Sequence, residues 1–318
     1  SNIYTHFERT IIITMFDFKK VSIEDKKILE GSLAKLNCKL LNYNFIVQFI
    51  YRNIIHFEYA FYGDFLIVRT TIAGREQYLF PVGDGNEHEA LTAIFNYAVT
   101  RNGECHFFQF CETNAPVLLE WVEKLAETKK IAYDFYDVRG EFEYIYDANS
   151  LRELKGNALK AKRNHVNHFL KTFDWSEEAI TSENLAEVVE FSHAWDLKKE
   201  IPADSRLQYE NIALNELFLH YFDLNVDGLL IRVDGKIVAF SVGCSLCDDT
   251  YLVLFEKADW EINGAYPMIN REFVRHIAKN YRYVNRAEDG GNEGLRKAKL
   301  SYQPEYLQKV FHLDIKTT

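Results

Sequence analysis

Twice along this chain of 318 residues, three runs of β-forming residues joined by tight turns lead into a glycine-bearing loop, an amphipathic helix and a further strand. In the first half the runs are 58–61, 65–71 and 77–82, with Tyr62-Gly63-Asp64 and Ala73-Gly74 between them. Glycine supplies the positive φ that such connections need, so the runs read as an antiparallel meander. The loop Gly83-Asp84-Gly85-Asn86 then opens a helix with Ala90, Leu91, Ile94, Phe95 and Ala98 on one face. Strand 106–111 follows, then a helix with Pro116 in its first turn, then strand 131–136. In the second half, helix 185–198 and a helix carrying Leu214, Leu217, Phe218 and Tyr221 precede runs 228–233, 236–245 and 250–256. The turns there are Asp234-Gly235 and Asp248-Asp249. Gly264-Ala265 opens a helix with Ile269, Phe273 and Ile277, and strand 283–286 closes the set. Residue identity between the halves is negligible, so the repeat is one of architecture. It predicts two α/β units with mixed, mostly antiparallel sheets flanked by helices, 1–140 and 141–318.

Composition agrees with two packed cores: 47% of residues are apolar, with 24 Phe and 19 Tyr, and only five Pro. No stretch approaches the roughly 20 apolar residues of a spanning helix. Ile11-Ile12-Ile13 is short, flanked by Glu8 and Arg9, and lacks a small-residue cleavage site, so it does not read as a secretory signal. Phe16-Asp17-Phe18-Lys19 reads as a natural beginning and residues 1–14 as an extension. Five irregularly spaced cysteines suit a reducing, cytoplasmic setting. Cys244 and Cys247 form a single CxxC within a strand, without the second ligand pair of a zinc site, and no metal site is expected.

Net charge is −10, but its distribution matters more than its sum. Residues 152–171 carry six Lys/Arg against one acid, and 271–299 carry eight against four. Affinity for anions is therefore expected to be local. Lys155 and Lys162 lie two helical turns apart, and Lys160 and Arg163 at i,i+3, with Asn164, His165 and Asn167 beside them. Such a face suits a tRNA end, a lipid phosphate or a diphosphate, or else is an ordinary solvated surface. Arg296 and Lys299, also at i,i+3, form a second cationic group with Arg286. The alternative there is pairing with Glu288, Asp289 and Glu293. Strand alternation puts Glu256 on the face of Leu252 and Leu254, where a carboxylate beside a cleft suits a general base; Glu288 and Asp289 are the next candidates.

The order meander, glycine loop, helix, strand resembles the GNAT acyltransferase plan, in which the helix N-terminus faces an anion. Coenzyme A-dependent members grip a pyrophosphate there with a basic residue and several small ones. The loop of the second half, Trp260 to Ala265 with Asn263 and Gly264, has no base and contains Glu261; that of the first half carries Asp84, Glu87 and Glu89. No tightly bound cofactor is expected. Three segments also resemble the phosphatidylglycerol lysyltransferase C-terminal domain family: Tyr144-Ile145-Tyr146-Asp147 running on through Leu154-Lys155-Gly156 to Lys162-Arg163-Asn164-His165; Val233 to Phe240 with Glu256-Lys257-Ala258-Asp259 and Gly264-Ala265-Tyr266; and Asn285-Arg286 with Gly294 to Pro304. That resemblance implies tandem GNAT-like domains, the second carrying the site, and transfer of an aminoacyl group from aminoacyl-tRNA to a hydroxyl or amine, with a phospholipid or small molecule as acceptor. An acyl-coenzyme A donor, or a non-catalytic binding groove, is the alternative. Where relatives carry a run of acids after Asn-Arg, this chain has Ala287, Glu288, Asp289, Gly290 and Gly291.

Overall fold

The computed structural model describes residues 16–201 and 205–318. The apolar run at 11–13 lies outside them. Contacts divide the described chain into two units, the first running to Arg139 and regaining residues 309–318, the second spanning 140–308. In the first unit the elements are β1 (Lys19–Lys20), α1 (Lys26–Leu33), α2 (Phe45–Tyr51), β2 (Glu58–Tyr62), β3 (Phe65–Ile72), β4 (Arg75–Tyr78), α3 (Glu87–Asn102), β5 (Glu104–Cys111), α4 (Ala115–Thr128) and β6 (Ile131–Asp137). The second contains β7 (Glu143–Asp147), α5 (Ala148–Glu153), α6 (Lys160–Thr172), β8 (Trp175–Ala179), α7 (Leu185–Lys199), α8 (Arg206–Leu219), α9 (Tyr221–Leu224), β9 (Asp227–Val233), β10 (Lys236–Cys247), β11 (Thr250–Ala258), α10 (Ala265–His276), β12 (Tyr283–Asn285), α11 (Glu293–Leu300) and β13 (Tyr306–Gln308). A last strand, β14 (Val310–Thr317), belongs to the first unit.

Each unit holds one seven-stranded sheet, ordered β1-β2-β3-β4-β5-β14-β6 in the first and β13-β7-β12-β11-β10-β9-β8 in the second. In both, an antiparallel meander passes through one helix to a parallel neighbour: β4 meets β5 at Tyr78 and Phe107, and β11 meets β12 over Thr250–Leu252 and Tyr283–Asn285. This is the tandem GNAT-like architecture the repeat predicts. Local chemistry sets the helix ends. Asn86 caps α3 by accepting from the His88 N–H at 3.1 Å, and Gly103 ends it at φ 76°. α10 buries Ala265, Met268, Ile269, Phe273 and Val274 against Tyr144, Tyr146, Tyr251 and Val284, forming the core beneath the second sheet.

Two expectations change. Residues 309–318 lie with the first unit rather than within 141–318, because β14 pairs with both β5 and β6 and buries Val310, Leu313 and Ile315 there. The alternation in β11 also breaks. Val242 pairs with Phe255 but Gly243 with Val253, so Leu254 is a bulged residue. Beyond it every side chain changes face: Glu256 joins Tyr251 and Val253 on the α10 side, not Leu252 and Leu254. Gly243 sits where any Cβ would meet the Leu252 carbonyl at 2.4 Å.

Candidate functional site

In the second unit β12 ends at Asn285 while β11 runs on to Ala258, so among the described residues the last part of β11 has no strand on that side. Glu256 projects there. Arg286, the first residue beyond β12, donates from Nη2 to Glu256 Oε1 at 2.9 Å, and both side chains are nearly buried. Asn270, buried on α10, completes the group, its side-chain amide lying 3.1 to 3.2 Å from the three guanidinium nitrogens. A charge pair held this way is fixed in orientation.

Tyr302, buried just after α11, joins the two basic segments. The Arg286 guanidinium lies 5.0 Å and Lys162 Nζ 4.3 Å from its ring centroid. Tyr146 packs against the same guanidinium at 5.8 Å. Lys162 is half-buried and has no carboxylate partner among the described residues; burial first, and then repulsion from Arg286, lowers its pKa. Glu256, Arg286 and Lys162 together leave one positive charge unmatched, so the cluster suits an anionic group.

The other sequence candidates have structural partners. Asp289 is fully buried and paired to Arg296 through both oxygens, at 2.9 and 3.0 Å, with the Tyr144 hydroxyl and the Gly291 N–H as further donors. The donors, led by Arg296, outweigh the opposing effect of burial and hold its carboxyl far below the usual carboxylate range. Glu288 is ion-paired with Arg206 of α8. Lys299 donates to the carbonyls of Arg286 and Glu288, at 2.5 and 2.7 Å, and burial pushes its pKa down to about 8. These bonds bind the turn after β12 to α11. Arg163 donates to the carbonyls of Leu154 and Gly156, closing the end of α5. Lys155 is not on the helix of Lys162, since α5 stops at Leu154 with φ 49°; it is exposed beside Glu153. Asn164 is exposed, and His165 Nδ1 lies 2.9 Å from Asn263 Oδ1 at the surface.

The glycine loop of the second half serves packing. A Cβ on Gly264 would meet the His165 carbonyl at 2.6 Å and Phe169 at 3.1 Å, so this residue lets α6 lie against the start of α10. The Ala265 N–H is already bonded to Ile262 at 3.1 Å, and Pro267 has no N–H to offer. Few donors remain for a diphosphate at that helix end.

A family profile described as "Phosphatidylglycerol lysyltransferase, C-terminal" matches residues 42–313. The chain belongs to that family. Among solved structures, a conserved protein of unknown function from Bacteroides thetaiotaomicron is similar at a TM-score of 0.85 and 30% identity, over 95% of this chain and 100% of that one. The C-terminal domain of a putative lysylphosphatidylglycerol synthetase from Agrobacterium fabrum is similar at a TM-score of 0.63 and 15% identity, over 92% of each, which speaks for the fold alone. An uncharacterized protein of Mycoplasmoides gallisepticum is 25% identical over 196 residues, 61% of this chain, and the match spans 60% of that relative's length. In this member of the phosphatidylglycerol lysyltransferase C-terminal family, the glycine at 290 has a local reason. Its φ is 57°, and a Cβ there would lie 1.5 Å from Arg206 Nη1, which passes over it to reach Glu288.

Sequence reasoning missed Tyr302, Asn270 and Tyr146. None belongs to a spaced motif of charges, though Tyr146 and Tyr302 lie inside the segments that carry the family resemblance.

Proposed function

We propose that this chain is an aminoacyl transferase that takes its donor group from aminoacyl-tRNA, with transfer at the Glu256–Arg286–Lys162 cluster. The observation that carries the reading is the convergence of Lys162 and Arg286, from two basic segments far apart in sequence, on Tyr302 beside Glu256. An acceptor hydroxyl or amine attacks the ester carbonyl of the donor and yields its proton to the Glu256 carboxylate. The tetrahedral oxyanion forms within reach of Lys162 and Arg286, and the ester C–O bond then breaks as the ribose oxygen recovers the proton. The occupied donors at the start of α10 favour aminoacyl-tRNA over acyl-coenzyme A. Family membership supports a transferase; a phospholipid hydroxyl or a small amine is the acceptor class it suggests. No helix among the described residues is long and apolar enough to cross a membrane.

The test follows label from a mixture of charged tRNAs into lipid and small-amine acceptors. Glu256→Gln should lower turnover roughly a hundredfold while leaving donor affinity nearly intact. Full activity in that variant removes Glu256 from the chemistry, and low-micromolar binding of acetyl-coenzyme A by calorimetry replaces the donor.

A further inference from the structure

At the edge of the second sheet, β8 carries Glu177 beside the last turn of α10, where Glu272 and His276 stand at i,i+4. His276 Nε2 lies 2.7 Å from Glu177 Oε1 and 3.4 Å from Glu272 Oε2. One ligand atom from each of the three residues falls within 4.8 Å of the others. Glu272 is only 3% exposed, while the His276 ring is half-exposed. Arg271 and Arg275 both donate to Glu272 Oε1, the second at 3.4 Å, which fixes that carboxylate and leaves Oε2 to the imidazole.

Nε2 carries at most one proton, and Glu177 Oε1 is its nearer acceptor. The ring and that oxygen satisfy one another, but two carboxylate oxygens are left over. Glu272 Oε2 keeps only the longer contact to Nε2, and Glu177 Oε2 is buried with no hydrogen-bond partner among the described residues. A carboxylate oxygen closed off from water without a donor is costly. Burial is also the main reason the Glu177 pKa is raised, and the Glu272 carboxylate adds to the rise, against the opposing charges of His276, Arg275 and Arg271. A metal ion relieves this arrangement, because it takes lone pairs from both carboxylates and from the imidazole together. The expectation of no metal site rested on cysteine spacing, whereas this group is assembled from one helix turn and a strand far earlier in the chain.

We propose that Glu177, Glu272 and His276 form a binding site for a zinc ion, with water in the fourth position. Three protein ligands with one open place, two of them oxygens and one an imidazole nitrogen, make a zinc set, and the nitrogen counts against calcium and magnesium. Ligand atoms about 2.1 Å from a tetrahedral ion stand roughly 3.4 Å from one another, the separation already found between His276 Nε2 and Glu272 Oε2. The two arginines orient the Glu272 carboxylate from behind and, being cationic, moderate the affinity. Binding sends any Nε2 proton to solvent and ties the edge strand to the end of α10. The proposal does not rest on the transfer reading.

The experiment titrates the chelator-treated whole protein with zinc chloride by calorimetry, with magnesium and calcium chloride in parallel, and records the thermal midpoint with and without zinc. The chain has ten histidines and five cysteines, so variants are needed to locate the ion. Saturable zinc binding that raises the thermal midpoint, weakened at least about tenfold by His276→Gln and by Glu177→Gln, is the expected result. The His276 ring is half-exposed, so its variant should fold, and circular dichroism without metal checks both. Absence of saturable zinc binding, zinc affinity unchanged in either variant, or magnesium or calcium bound as tightly as zinc would each overturn the proposal.

Discussion

At the scale of single residues, the second unit separates charges that hold structure from charges left for a ligand. Asp289 and Arg296 form a buried pair, and Lys299 closes a turn through two carbonyls. Lys162 has an aromatic face and a like charge beside it and no carboxylate partner among the described residues. Lys299 has a measurable consequence. Its ordinary pKa of 10.5 falls to about 8 in the folded chain, so between those values the unfolded chain binds a proton that the folded one has released. Stability contributed by this residue therefore rises with pH across that window. Below about pH 8 both states are protonated and the dependence vanishes. Urea midpoints of wild type and Lys299→Met, taken in steps from about pH 7.5 to about pH 10, should show the wild type gaining on the variant. Parallel curves would mean that the ammonium is not held as described. Much of this division was beyond the sequence. Spacing put Arg296 and Lys299 on one helix face, with Arg286 beside them, but which of the three meets an acid depends on a turn that carries Ala287 at φ 56° and Gly290 at φ 57°.

At the scale of elements, the meanders and their helices were legible because each is a local pattern. Gly63, Gly74 and Gly235 all take positive φ in the turns where they stand, and the apolar residues read as helix faces are buried, Ile277 only in part. What stayed hidden depends on distant partners. β7 and β14 are each completed by strands far along the chain, and the bulge at Leu254 is visible only against β10. A single inserted residue was enough to put Glu256 on the opposite face from the one alternation assigns. β14 is also where a deletion should be most damaging. Removing residues 309–318 takes Val310, Leu313 and Ile315 out of the core, roughly 1.5–3 kcal/mol each, and leaves β5 and β6 without the strand that joins them. That loss approaches the whole stability of a typical domain. Hydrogen exchange should find β5 and β6 unprotected in the truncated chain while β9, β10 and β11 keep their protection. Protection of β5 equal to that in the full chain would contradict this pairing.

At the scale of the whole molecule, a net charge of −10 leaves a polyanion few places to gain, and the transfer reading puts those contacts near Lys162 and Arg286. tRNA binding should accordingly fall with salt along a shallow line. Lys162→Met should reduce its slope by about one unit, the amount expected for one lost phosphate contact. A steep slope unchanged in the variant would put the interface elsewhere. The place of β14 also bears on how the protein is made. A ribosome delivers residues in order, and the nascent chain will have presented β1 to β6 long before the strand that unites β5 with β6 leaves the exit tunnel. The second unit waits only for its edge strand β13, since its other six strands lie within 143–285. The first unit instead waits for a strand at the middle of its pairing, and meanwhile it keeps the edges of β5 and β6 unpaired, the kind of surface on which chaperones act and aggregates begin.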